Sequence, residues 1–235
     1  MVLRMAWFNL QMYTRKYKFV PPTGCYTIFL FINYSSVPNP IWGSFGSTMI
    51  LNFLMMAWFT LSFIQSQNNV QQMISSIHMK SKTLFFISNY FSMFLVALFL
   101  SLVAVLFPVL TGAFDKTVGL GMILFALFNH VIVSFLSATI AMLFSKNLIR
   151  KPINAWLGII LTLVVLLSIS SLEENSSFFL LNYILPPISM LVHIMNEGSS
   201  SMFHIPTFGI YLISVFYIMI LLVICISLLR KKDIL

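Results

Sequence analysis

The chain has 235 residues, of which 60% are hydrophobic and 8% charged, with a mean hydropathy of +0.99 and a formal net charge of +8. A soluble domain carries about 25% charged residues, so this chain cannot clothe a water-facing surface, and a soluble enzyme or an appended catalytic module is excluded. The positive charge does not indicate nucleic acid, because Lys and Arg fall in short clusters between apolar runs instead of gathering with stacking aromatics on one face.

In chain order, residues 1–18 predict an amphipathic helix in the headgroup layer. At about 100° per residue, Leu3, Ala6, Trp7, Leu10, Tyr13 and Tyr17 share one face, and Arg4, Gln11, Arg15 and Lys18 another. Arg4, followed by Arg15, Lys16 and Lys18, is unlike a cleaved signal peptide. Six apolar runs follow, over residues 19–34, 44–64, 84–110, 118–144, 153–170 and 208–229. The expected fold is therefore an all-α polytopic membrane protein with six transmembrane helices, residues 19–235 forming one domain. Pro21 and Pro22 mark a helix entry, where missing amides cost least, and residues 35–43, with Pro38 and Pro40, read as an uncharged turn.

If the N-terminus is inside, twelve of the thirteen basic residues lie in cytoplasmic segments and Lys116 alone lies outside. Orientation follows the Lys/Arg bias of short loops, so both termini are expected in the cytoplasm. Trp42, Trp58 and Trp156 read as anchors at the membrane boundaries. Cys25 and Cys225 fall inside predicted spans, which leaves no disulfide framework or metal site.

Two connections carry structure of their own. In the cytoplasmic loop 65–83, Val70, Met73, Ile74 and Ile77 fall at i, i+3, i+4 and i+7, one apolar helix stripe. Polar residues surround it: Gln65, Gln67, Asn68, Asn69, Gln71 and Gln72, then Lys80 and Lys82. The stripe either docks a partner or belongs to an interfacial helix packing under the bundle. In the external loop 171–206, apolar pieces 178–185 and 188–195 flank Pro186 and Pro187. Each is too short for a hydrocarbon core about 30 Å thick. Together they predict a re-entrant hairpin; a kinked seventh span is the alternative, and it would place Arg230, Lys231 and Lys232 outside, against the charge rule.

This order of parts resembles the ABC-2 type permease subunits of bacterial ATP-binding-cassette exporters, and the segment from Asn68 to Thr83 carries the resemblance most directly. That segment is similar to the family's coupling helix between spans two and three, with Gln and Asn where the family commonly has acids. The resemblance implies docking of a cytoplasmic ABC ATPase, in two copies, at Val70, Met73, Ile74, Ile77, Lys80 and Lys82. It also implies a second permease chain, identical or paralogous, and a place in the bacterial plasma membrane. No Gly-x-x-x-x-Gly-Lys-Ser/Thr pattern occurs, so no cofactor is expected on this chain, and ATP and Mg act through the partner ATPase. The small size is similar to permeases for antimicrobial-peptide export or self-immunity.

Asn52, Asn129 and His130 lie within spans, as pathway residues or, the first reading, as hydrogen-bonded ties between helices. The fifteen methionines and the many phenylalanines read as packing or lipid-facing side chains before a soft cargo path. Glu173 and Glu174, with His193 and His204 beyond them, raise a membrane-embedded protease as an alternative, although a solvated acidic loop is the simpler reading. An ion-coupled secondary transporter is a third possibility, disfavoured because every Asp, Glu, Lys and Arg can be placed outside the hydrocarbon, leaving His130 to titrate within it.

Overall fold

Prolines and small polar residues set the helix boundaries. Pro40 sits at the extended N-cap of one helix, Pro21 and Pro22 open another, and the Ser81 hydroxyl caps a third by accepting from the Leu84 amide at 3.4 Å. The computed structural model describes residues 1–149, 151–169, 185–201 and 204–231. Among them are nine α-helices: α1 Val2–Arg15, α2 Val20–Asn33, α3 Ile41–Ser66, α4 Asn69–His78, α5 Lys82–Leu110, α6 Leu120–Leu143, α7 Pro152–Ile169, α8 Ile188–Glu197 and α9 Ile205–Lys231. No strand is present among the described residues, only an isolated bridge between Asn39 and Phe114. Residues 170–184, which include Glu173, Glu174 and most of the first arm of the expected hairpin, lie outside the described residues, as do Arg150 and Lys232.

Four helices, α3, α5, α6 and α9, are long and apolar enough to cross a membrane. At about 1.5 Å per residue they run ~36 to ~44 Å, past a hydrocarbon core of about 30 Å. The runs expected at 19–34 and 153–170 form α2 and α7, which over the described residues extend ~21 and ~27 Å by the same rise.

The long, largely buried α3 and α6 pack on each other, and α3 also touches α2, α5, α7 and α8. Fully enclosed side chains include Phe45, Met49, Phe53 and Phe63 of α3, Phe85 and Met93 of α5, and Leu136 of α6. These methionines and phenylalanines are packed core. In contrast α9 buries Thr207, Ser214, Ile218, Cys225 and Leu229, a seven-and-four spacing that presents one stripe to its neighbours.

Three sequence expectations gain detail. The first helix does not simply float on headgroups, because Met5, Ala6, Asn9 and Tyr13 pack it against α5 while Leu3, Trp7 and Tyr17 stay exposed. The predicted apolar face is thus divided between protein and surroundings, and a polar Asn9 lies inside the packed stripe. The tryptophans read as boundary anchors also make packing contacts: the Trp42 ring covers Gly198, and Trp58 meets Trp156 edge to face at 6.4 Å. The uncharged turn is no isolated connector either, since the Asn39 amide donates to the Ala113 carbonyl and the Asp115 amide to the Asn39 carbonyl, tying two end loops together.

The ten-residue α8 is a helix docked on α3. A Cβ added to Gly46 would come within 2.3 Å of Asn196 Oδ1, and one on Gly198 within 2.3 Å of the Trp42 ring. These contacts run α8 antiparallel to α3, its C-terminus level with the start of α3 and its Pro187 end ~15 Å deeper at about 1.5 Å per residue.

Candidate functional site

Helix α4 has the predicted stripe, and its orientation is the unexpected part. On a wheel of about 100° per residue, Val70, Met73, Ile74 and Ile77 form one face, and Gln72, Ser75 and their neighbours the opposite one. The polar face is buried: Gln72 is 2% and Ser75 5% exposed. The apolar face is open, with Val70 69%, Ile74 63% and Ile77 65% exposed. The stripe therefore does not face the chain's own bundle.

Polar side chains hold α4 this way round. Lys16, just past α1, donates through Nζ to the Ser66 carbonyl and, at 3.4 Å, to Gln71 Oε1. Lys146, on the connection after α6, donates to the Gln67 carbonyl and, at 2.9 Å, to Asn69 Oδ1. Asn147 Nδ2 donates to Gln72 Oε1 at 3.0 Å. The last carbonyls of α3 carry the negative end of its dipole and have no donors within the helix. Two ammonium groups from distant segments satisfy them, since α3 has no basic residue in its own last turn.

A second layer fixes the elbow between α3 and α4 to the bundle. Asn89 Oδ1 accepts from Asn9 Nδ2 at 2.9 Å and from Gln67 Nε2 at 3.0 Å, joining α1, α5 and the elbow in one network. Tyr13 donates to Ser62 Oγ at 3.2 Å, and burial pushes its phenol up to about 12, with Ser62 acting in the opposite direction. Trp156 Nε1 donates to Gln65 Oε1 at 3.3 Å.

The site is strongly cationic. Burial first, then the nearby charges of Lys16 and Lys18, hold the Lys146 ammonium below the ordinary lysine range. The acids among the described residues, Asp115 and Glu197, lie at the other end of the bundle, by the start of α3. Lys80 is exposed with φ 56° at the turn after α4, and Lys82 opens α5.

The candidate pathway residues are enclosed. Asn52, Asn129 and His130 are each 0% exposed. The Tyr26 hydroxyl lies 2.8 Å from Asn52 Oδ1 and 2.7 Å from the Leu100 carbonyl, so its one proton serves two acceptors. His130 Nδ1 is 2.7 Å from the Ala126 carbonyl, which can only accept, so the proton sits on Nδ1 and Nε2 accepts from the Thr48 hydroxyl at 3.1 Å. Asn129 donates to the Phe125 carbonyl and to Tyr211 Oη, both at 2.9 Å, while its Oδ1 has no partner. These three are not brought together with α4. They tie α2, α3, α5, α6 and α9 to one another.

Periodicity located the stripe but not Lys16, Lys146, Asn147 or Asn89. The available signal was a run of neutral Gln and Asn acceptors with no acid among them, which calls for cationic or amide donors from elsewhere. The fold defines an all-α membrane protein carrying an exposed apolar stripe on a basic end. Comparison of the chain with protein-family models, with curated proteins and with solved structures finds no match.

Proposed function

We propose that this chain is the transmembrane permease subunit of an ATP-driven exporter of the ABC-2 type, and that α4 is the surface on which a separate cytoplasmic ATPase docks. The observation that carries the proposal is the inverted α4, polar toward its own bundle and apolar away from it. Covering a Val, Leu, Ile or Met side chain is worth about 1.5–3 kcal/mol, so four such side chains held outward are a large incentive for a partner. Lipid is the weaker occupant, because α1, α5 and residues 146–147 hold the polar side, and the stripe points away from all three. The lysines beside it suit an acidic rim on that partner.

In this reading α2, α3, α5, α6, α7 and α9 are the six spans of a bacterial plasma-membrane protein. The Lys/Arg bias places the basic end, with both termini, in the cytoplasm. Helix α8 is the returning arm of a re-entrant hairpin, admissible in the bilayer because it packs on α3. Two permease chains, identical or paralogous, work with two ATPase subunits that supply ATP and Mg. The cargo is an amphipathic peptide or hydrophobic compound, as in antimicrobial-peptide export or self-immunity.

The test is a double substitution, Val70→Glu with Ile74→Glu, in the intact chain in its native membrane. Both side chains are exposed, so the thermal midpoint is expected to stay within a few degrees, while ATPase association and transport are lost. Survival of both in a folded double variant contradicts the docking role.

A further inference from the structure

We infer that the cleft between α8 and the start of α9 binds an organic ammonium compound with an apolar body. This inference deepens the export reading by naming a cargo class, and it rests on residues at the opposite end of the bundle from α4. The cleft has a volume of about 620 Å³, within the usual range for small-molecule sites, about 300–1,000 Å³. Met190, Ile194 and Ile210 make its apolar wall, and His193, Glu197 and Ser201 its polar one.

The polar wall is organised around one carboxylate. Ser201 Oγ donates to Glu197 Oε2 at 2.5 Å, and His193 Nδ1 lies 3.4 Å from Oε1. An ionised carboxylate offers about four lone-pair positions, so acceptor capacity remains, and the Glu197 side chain is 50% exposed and reachable. Among the described residues, no other acid and no Lys or Arg lines the cleft. The carbonyl end of α8, which terminates at Glu197, adds negative potential beside that carboxylate. A single carboxylate beside an apolar wall selects a ligand that joins an N–H-bearing cation to an apolar group.

Metal binding fits less well, because among the described residues no group of three His, Cys, Asp or Glu side chains gathers to hold an ion. The carboxylate is also held in place. Gly198 fits against the Trp42 ring and Gly46 against Asn196, so the C-terminal turn of α8 is fixed to α3. A preorganised acceptor of this kind loses little freedom on binding.

The experiment uses the full chain in phosphatidylcholine nanodiscs with EDTA present, and 2-phenylethylammonium as the probe. Phenylacetate and 2-phenylethanol are the anionic and neutral controls, and saturation-transfer NMR reads binding. Saturable binding of the ammonium alone is expected. Glu197→Gln should weaken it at least about tenfold, the size of one hydrogen bond to a charged group, and Glu197→Asp should restore most of it. Equal binding by Glu197→Gln, or equal binding of phenylacetate, overturns the site. Failure here with an ATPase still bound at α4 removes the cargo assignment alone; binding here with no ATPase found removes the export reading alone.

Discussion

Lys146, on the connection that follows α6, donates from Nζ to the backbone carbonyl of Gln67, the residue that ends α3. This bond crosses 79 positions of sequence and joins the end of α3 to the connection after α6. Lys146→Met leaves the Gln67 carbonyl and Asn69 Oδ1 without that donor, for about 1 kcal/mol. Hydrogen exchange is expected to speed up across Asn68–His78 and to stay slow in Lys146→Arg. Unchanged exchange in the Met variant contradicts the role given to this lysine.

The same lysine predicts a pH dependence. Its ammonium is held below the ordinary value of 10.5 by burial, then by Lys16 and Lys18. The folded chain thus binds this proton less tightly than the unfolded chain, and stability rises with pH where the unfolded state holds more protons. The unfavourable contribution is fully present at neutral pH and is relieved as pH rises through the depressed value toward 10.5. Thermal melts at stepped alkaline pH should show a smaller rise in Lys146→Met than in the parent; identical slopes contradict the assignment.

Gln71 Oε1 faces Lys16 Nζ at 3.4 Å, so an acid at this position would pair with the ammonium. Gln71→Glu is expected to stabilise by about 0.5–1 kcal/mol at low salt, as a partly exposed pair does. The gain should fade in high salt as the charges are screened. A melting-point series against salt checks both statements, and a loss of stability at low salt contradicts them.

The sequence made some of this legible and not the rest, for a physical reason. A run of apolar residues reports its solvent, and a stripe at i, i+3, i+4 and i+7 reports a helix face, so the long helices and the apolar face of α4 were readable. Neither signal names the partner of a face. The expected face of α1 mixed residues that touch α5 with residues that do not, because Asn9 finds its partner at Asn89, 80 positions away. The contact of the Trp42 ring with Gly198, far along the chain, is likewise outside what local pattern reports. The lysine donors to Ser66 and Gln67 were invisible because their acceptors are backbone carbonyls, which every residue has.

The two glycine contacts of α8 should differ in their response to a methyl group. At Gly46 the nearest atom is the tip of the Asn196 side chain, which can rotate away, so Gly46→Ala should cost about 1 kcal/mol or less. At Gly198 the obstacle is the Trp42 ring and the backbone sits at φ +64°, ψ −120°, a region where a Cβ costs roughly 1–3 kcal/mol. Gly198→Ala should therefore undock α8 and expose its arm to proteolysis at the α8 to α9 connection. Equal stability of the two variants contradicts this account of how α8 is held.

Thr48 and His130 test whether the buried polar residues act as ties. Thr48→Val removes the donor to His130 Nε2, and interhelical hydrogen bonds in membranes average about 0.6 kcal/mol with a maximum near 1.7. A loss in that range, with ATPase association and transport retained, is the expected result. Full stability with transport abolished would instead assign the pair to the cargo path.

The most direct test of the central claim is mass-spectrometric identification of what co-purifies with the intact chain from native membranes in mild detergent. The account predicts a stoichiometric soluble protein with a Gly-x-x-x-x-Gly-Lys-Ser/Thr loop, released when Val70 and Ile74 are replaced by Glu. Reproducible purification of a folded chain with no such partner would contradict the claim that α4 is an ATPase-docking helix.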